Sequence, residues 1–290
     1  MLELEGAVAL VTGAGSGIGR AFALEAAARG MDVAVCDIAA GPAEATAEAV
    51  RAQGRRAIAV ACDVSDRAAV EAMAARTAAE LAPVALLFAN AGVTSFEALA
   101  DIDPAELEWV LDVNLKGAAW CMRAVLPQMI AAGRGHVVAT ASMAGLIPNW
   151  VSHHVPYVAS KAGLIGWIVN LRAELAPHGV GATALCPAGV TTDILNARQR
   201  RPQRFGGPSA APITPPKSFR STGGPPLTSR TPEMVARMTF EAVLADRPLV
   251  VTESRLRGLF EAHAEVVLQA FGDAAEFERR AGLAEPPADA

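Results

Sequence analysis

The 290-residue sequence predicts an α/β fold, a doubly wound parallel sheet of about seven strands flanked by helices, with a long loop and an extra helix towards the C-terminus. Three observations predict it. Short apolar runs alternate with stretches of helical periodicity, the rhythm of parallel strands joined by crossover helices. Thr12, Asp37, Asp63 and Asn90 stand at the carboxyl ends of successive runs, where such sheets collect ligands. The first run leads into a glycine cluster and then a helical pattern.

Taken in order, Ala7 to Val11 is apolar throughout and ends at Thr12, as a strand buried on both faces requires. Gly13-Ala14-Gly15-Ser16-Gly17-Ile18-Gly19 follows, then a helix from Arg20 to Arg29. Strand, glycine turn and helix together are the context of a dinucleotide-binding loop. Glycines let the backbone approach a pyrophosphate, and the helix N-terminus offers N–H donors. The second strand, Val33 to Cys36, ends at Asp37, 24 residues past Gly13. A carboxylate there accepts hydrogen bonds from an adenosine ribose and repels a 2′-phosphate, which favours NAD over NADP. It also suits the cap of the next helix.

Helix 42–53 precedes strand Ala57 to Ala61, and Ser65 or Asp66 caps helix 67–80. Strand Val84 to Phe88 runs into Asn90-Ala91-Gly92. Asp103-Pro104 opens a long helix to about Ile130, with Asn114 inside it, an unfavourable place for Asn unless it serves the helix surface or a function. Strand His136 to Thr140 reaches Ser142, a loop covers 145–156, and a helix runs from 157 to about 176. His153 and His154 in that loop read as surface residues, with the substrate mouth as the alternative. Strand Val180 to Leu185 leads to Pro187, Gly189, Val190 and Thr192.

From Ile194 to Pro232 there are eight prolines, seven basic residues and no Asp or Glu. This stretch reads as a solvated loop or as a lid whose charge favours an anionic group or a neighbouring subunit. A helix to about Ala245, a short strand at Pro248 to Thr252 and an amphipathic helix from Arg255 to Phe271 complete the pattern, and the tail from Gly282 is expected to be frayed. The sequence shows no domain boundary, so residues 1–280 read as one unit.

Tyr157 is the only tyrosine, and Lys161 stands one helical turn later. A cation ~4 Å from a phenolate stabilises it by about 4 kcal/mol at an effective dielectric of ~20, so the pair reads as an acid/base unit. The net charge of −5 and 5% aromatic content argue against a nucleic-acid binder. Four scattered cysteines and five histidines show no metal-ligand spacing, so no metal is expected. The apolar runs are too short to span a membrane, and the acidic start carries no signal-peptide pattern, which predicts a cytoplasmic protein.

Together these motifs resemble the short-chain dehydrogenase/reductase family from about residue 5 to 192. The resemblance rests on Thr12–Gly19, Asp63-Val64, Ala89-Asn90-Ala91-Gly92 and a tetrad of Asn114, Ser142, Tyr157 and Lys161. It implies a Rossmann-type domain that binds NAD, with NADP less favoured. The implied cofactor contacts are Gly13, Gly15, Ser16, Gly17, Ile18, Gly19, Asp37, Asp63, Val64, Asn90, Ala91 and Gly92. Tyr157, Lys161, Pro187, Gly189, Val190 and Thr192 complete that set. It also implies an alcohol or ketone substrate and a homodimer or homotetramer. Ala89 and Ala188 depart from the family pattern. Residues 190–270 more loosely resemble bacterial dehydrogenases of benzylic alcohols in lignin-derived aryl ethers; steroid, sugar-alcohol and 3-hydroxyacyl substrates, or a non-catalytic NAD-binding regulator, stay open.

Overall fold

The apolar runs become β1 (Val8–Thr12), β2 (Asp32–Asp37), β3 (Ala57–Ala61), β4 (Val84–Ala89), β5 (Gly135–Thr140), β6 (Val180–Cys186) and β7 (Leu249–Val251). They form one sheet in the order β3-β2-β1-β4-β5-β6-β7, and every pair is parallel. The computed structural model describes residues 3–216 and 229–283. The strand order turns back at β1 and β4, so a crevice opens outside their carboxyl ends.

Alternate residues of the central strands enter opposite cores. Leu10, Leu87 and Val137 pack with α3 (Arg67–Glu80), α5 (Ala118–Ala132) and α7 (Val155–Leu175). Ala9, Val11, Leu86 and Phe88 face α1 (Gly17–Ala28), α2 (Ala40–Arg51) and α8 (Pro232–Leu244). On that side Phe22 stacks on Phe88 at 4.2 Å, with Phe240 beyond. Both faces of these strands are dry, which is why the runs carry no polar alternation.

Local chemistry sets the ends of the helices. Asp66 accepts from Ala68 and Ala69 to start α3. Asp103 accepts from Ala105 to start α4 (Pro104–Leu111), and Gly133 in the left-handed region stops α5. The expected helix from 104 to 130 is interrupted: Asp112–Gly117 winds as a π-helix between α4 and α5. A short α6 (Met143–Leu146) precedes the loop before α7, so that loop is shorter than expected. The 194–232 stretch is not structureless either. Ile194–Arg200 and Gln203–Phe205 are 3₁₀ turns, and Val190 pairs with Arg230 where its two ends meet. Lys217 and Arg220 lie outside the described residues, as does most of the tail.

Candidate active site

Three strand ends are tied together at the crevice. Thr12 Oγ1 accepts from the N–H groups of Asn90 (3.0 Å) and Ala91 (3.1 Å) and donates to the Phe88 carbonyl (3.3 Å). Asn90 Nδ2 donates to the Thr12 carbonyl (3.0 Å), and Thr140 Oγ1 donates to Asn90 Oδ1 (3.1 Å). The sheet register therefore fixes where the loops after β1 and β4 stand. Gly13 (φ +63°) and Gly17 (φ +52°) take left-handed backbone, and a Cβ at Gly19 would lie 2.1 Å from the Gly13 carbonyl oxygen. Ser16 opens α1 without a side-chain cap, and no acid stands in the first turn. The first N–H donors of a 12-residue helix are thus left for an anion.

One cavity of about 440 Å³ runs from Asp37 and Asp63 past this loop to Tyr157. Gly13, Ser16, Gly17 and Ile18 line it, as do Val64, Asn90, Ala91 and Gly92. Pro187, Gly189, Val190 and Thr192 close another wall, with Ser142 and Lys161 near Tyr157. Gly15, Gly19 and Asn114 are not in the lining. Gly15 lies against Asp37 and Pro42, and Gly19 packs behind Gly13. The glycine cradle, the uncapped helix and the carboxylate at the β2 end fit a dinucleotide. Asp37 accepts from Gly15 N and from Ala39 N, each at 2.9 Å, so it braces the glycine loop and the turn before α2 while facing the cavity. Val64 approaches the π-helix where only Gly117 leaves room: a Cβ there would meet Val64 at 2.8 Å.

Tyr157 and Lys161 share one face of α7. Their spacing is as expected. Lys161 Nζ donates to the Thr140 carbonyl (2.7 Å) and sits 5.6 Å from the centroid of the Tyr157 ring. Burial pushes the Tyr157 phenol up, against the lowering effect of its hydrogen bond with Ser142. Burial also brings Lys161 down to about 8, so the ammonium persists at neutral pH. Desolvation by burial is thus the largest influence on the phenol in the folded chain.

Asn114 is fully buried in the π-helix. Its Oδ1 accepts from Val93 N (2.8 Å), and its Nδ2 donates to Val93 O (2.9 Å) and Ser160 Oγ (3.1 Å). Widening the helix turns the amide inward, where it holds the loop after β4 against α7.

The far end of the cavity is aromatic. Phe96, Trp109 and Trp150 line it, so two of the four tryptophans of an aromatic-poor chain gather there. His154, expected at the surface, is 5% exposed. Its ring lies parallel to Tyr157 at 4.2 Å and stacks on Phe96 at 4.2 Å, while Nε2 pairs with Thr94 Oγ1 at 2.8 Å. Its Nδ1 is buried with no hydrogen-bond partner among the described residues, and burial lowers its pKa to about 3. His154 takes the alternative place at the cavity rather than the surface, and the aromatic wall around it was the part that motif spacing missed. The signal was present only as a histidine three residues before the tyrosine.

The basic stretch also differs from expectation. Arg198 binds Glu97 and Glu106, Arg201 binds Glu106 at 2.5 Å, Arg204 binds Asp63 at 2.8 Å and Arg200 binds Asp193 at 2.9 Å. These arginines fasten residues 194–205 to α4 and to the end of β3. Their charge is spent on the chain's own acids rather than held out for an anion. Among the described residues no cluster of His, Cys, Asp or Glu could hold a metal, and no helix is long and apolar enough to cross a membrane.

Comparison with known proteins places this geometry. The short chain dehydrogenase profile matches residues 7–203. The chain is 36% identical over 223 residues to glycine betaine reductase of Emericella nidulans, covering 76% of this chain but 17% of that longer protein. It is 31% identical to the L-rhamnose 1-dehydrogenase (NAD(P)(+)) of Sphingomonas sp. (strain SKA58), covering 87% of this chain and 99% of the relative. A short chain dehydrogenase/reductase from Burkholderia phymatum, solved in complex with NAD, superposes with a TM-score of 0.82 at 33% identity over 93% of this chain and 97% of that one. LigD of Sphingobium sp. strain SYK-6, at 24% identity and a TM-score of 0.75 over 92% of this chain and 97% of that one, shares the fold.

Proposed function

Because the chain belongs to the short chain dehydrogenase/reductase family, an oxidoreductase family that uses a nicotinamide cofactor, we propose that it interconverts a secondary alcohol and a ketone, with NAD preferred and an aromatic group beside the reacting carbon. The observation that carries this reading is the meeting of Tyr157, Ser142 and Lys161 on one cavity wall beside the glycine loop.

A bound nicotinamide supplies the hydride acceptor or donor. The chain's own residues do the rest. Gly13, Ser16, Gly17 and Ile18 hold the pyrophosphate, supported from behind by Gly15 and Gly19. Asp37 takes the adenosine ribose, and Asp63 and Val64 border the adenine. Asn90, Ala91, Gly92, Pro187, Gly189, Val190 and Thr192 border the nicotinamide half. Tyr157 accepts the proton of the substrate hydroxyl, and Ser142 hydrogen-bonds the same oxygen and steadies its developing charge. Lys161, charged below about pH 8, offsets the burial of the phenolate and binds the nicotinamide ribose. Asn114 keeps the Val93 loop and Ser160 in place.

Asp37 supports NAD. It presents a carboxylate at the end of β2, and Ile38 beside it offers no positive charge to a 2′-phosphate. The aromatic wall supports an aryl substrate over a sugar. Arg200, the one arginine lining the cavity among the described residues, is already paired with Asp193, which favours an uncharged substrate over a phosphate-bearing acyl carrier. The protein is proposed to work in the cytoplasm as a homo-oligomer.

Tyr157→Phe tests the assignment. Turnover is expected to fall by about 10²–10⁴-fold while NADH binding, read by fluorescence, stays near wild type. Near-normal turnover would remove Tyr157 as the base.

A further inference from the structure

The last helix, α9 (Arg257–Arg280), is 24 residues long and has no buried residue. At 1.5 Å per residue it extends about 36 Å. Leu259 near its start packs on the core, and beyond that large apolar side chains stand open. Phe260 is 42% exposed, Val266 68%, Phe271 71% and Phe277 62%. Helices of this kind draw most of their stability from covering an apolar face, and among the described residues nothing covers this one.

The spacing indicates what does. Phe260, His263, Val267, Ala270, Ala274 and Phe277 recur at alternating steps of three and four residues, the repeat of a two-helix seam. Five acids and three arginines flank it between Arg257 and Arg280, so the helix lacks the basic face that binds an anionic membrane surface. We propose that α9 pairs antiparallel with the same helix of a second copy of this chain.

The register follows from the seam. With Val267 set against the partner's Ala270, Phe260 meets the partner's Phe277 at both ends. The alanines let the backbones approach in the middle. Phe271 lies over the partner's Ala264, bulk against a small residue. Arg257 then faces the partner's Glu278, and the two-fold axis makes this attraction twice. A parallel pair would instead set Asp273 against the partner's Glu278, two like charges. Among the described residues Arg257 pairs with Glu261, at 2.7 Å, with side chains 82% and 56% exposed, a solvated contact that is readily exchanged. Covering what is exposed of the three phenylalanines removes on the order of 350 Å² per chain. The valines and charged flanks carry the total towards the roughly 800 Å² per partner of a stable interface.

Self-association measured by sedimentation equilibrium tests the proposal. Arg257→Glu alone and Glu278→Arg alone are expected to raise the dissociation constant at least tenfold, and the double exchange to restore it. Phe277→Glu is expected to abolish the contact while circular dichroism and turnover per site stay near wild type, since α9 contributes nothing to the cavity. A wild-type chain that is monomeric at micromolar concentration overturns the proposal. So does a Phe277→Glu chain that keeps its wild-type mass, and single charge variants that the double exchange fails to rescue overturn the antiparallel register.

Discussion

At the Asp37 end of the cavity the shape is set by backbone, while at the His154 end it is set by side chains. Thr12, Asn90 and Thr140 stand where parallel strands end, and their hydrogen bonds continue the register of the sheet. The substrate end instead depends on pairs between distant segments: Arg198 and Arg201 with Glu106, and His154 with Thr94. The first region can change only if the sheet does. The second can be reshaped by a few substitutions, which is how one cofactor scaffold serves many substrates.

The sharpest way to break this contrast is Glu106→Ala. Glu106 is 1% exposed and holds two arginines, so its loss leaves Arg201 without its carboxylate, while Arg198 keeps Glu97. Stability is expected to fall by about 3–5 kcal/mol in urea unfolding. KM for the alcohol should rise while NAD affinity holds. Equal damage to NAD binding would show that both ends share one support.

Acid sensitivity comes next. His154 has a folded pKa of about 3 against an unfolded value near 6.5, so the fold keeps it neutral. Its contribution is complete above pH 6.5 and is lost as pH falls towards 3, on the order of a few kcal/mol. His136, lowered to about 4 by burial at the foot of β5, adds to the same loss. His154→Phe, which keeps a ring against Tyr157, should flatten the fall in stability between pH 6.5 and 4. An unchanged slope would assign the loss to His136 and the carboxylates.

The smallest effect belongs to the cofactor end. Asp37→Ser removes the carboxylate at this end of the cavity and, on the proposed cofactor placement, should shift the NAD to NADP preference by about 10–100-fold, the worth of hydrogen bonds to a charged group. No shift in the ratio of kcat/KM values would leave the preference with other residues.

What could be read in the sequence follows the same division. Continuous apolar runs, glycine turns and capping residues are local signals, so the strands and the helices α1, α2, α3, α7 and α8 came within a few residues of their predicted bounds, whereas α9 runs nine residues past the expected Phe271. The acids and amides at strand ends could be placed because strand ends define the crevice. The π-helix could not, since nothing in Asp112–Gly117 marks it apart from an amide misplaced for an α-helix. His154 looked like a loop residue because its burial depends on Thr94 and Phe96, some 60 positions earlier. The arginines of the 194–232 stretch looked unpaired for the same reason: their carboxylates come from Glu97, Glu106 and Asp63. The direction of the Tyr157 shift needed the depth of burial, which spacing does not carry.

The proposed activity is the interconversion of an uncharged aryl secondary alcohol and its ketone with NAD. It is tested most directly by initial rates of cofactor reduction with 1-phenylethanol, L-rhamnose and a 3-hydroxyacyl thioester, each with NAD and with NADP. The expected result is the highest kcat/KM for the aryl alcohol with NAD. Turnover confined to the sugar or the thioester, or a clear preference for NADP, would contradict it.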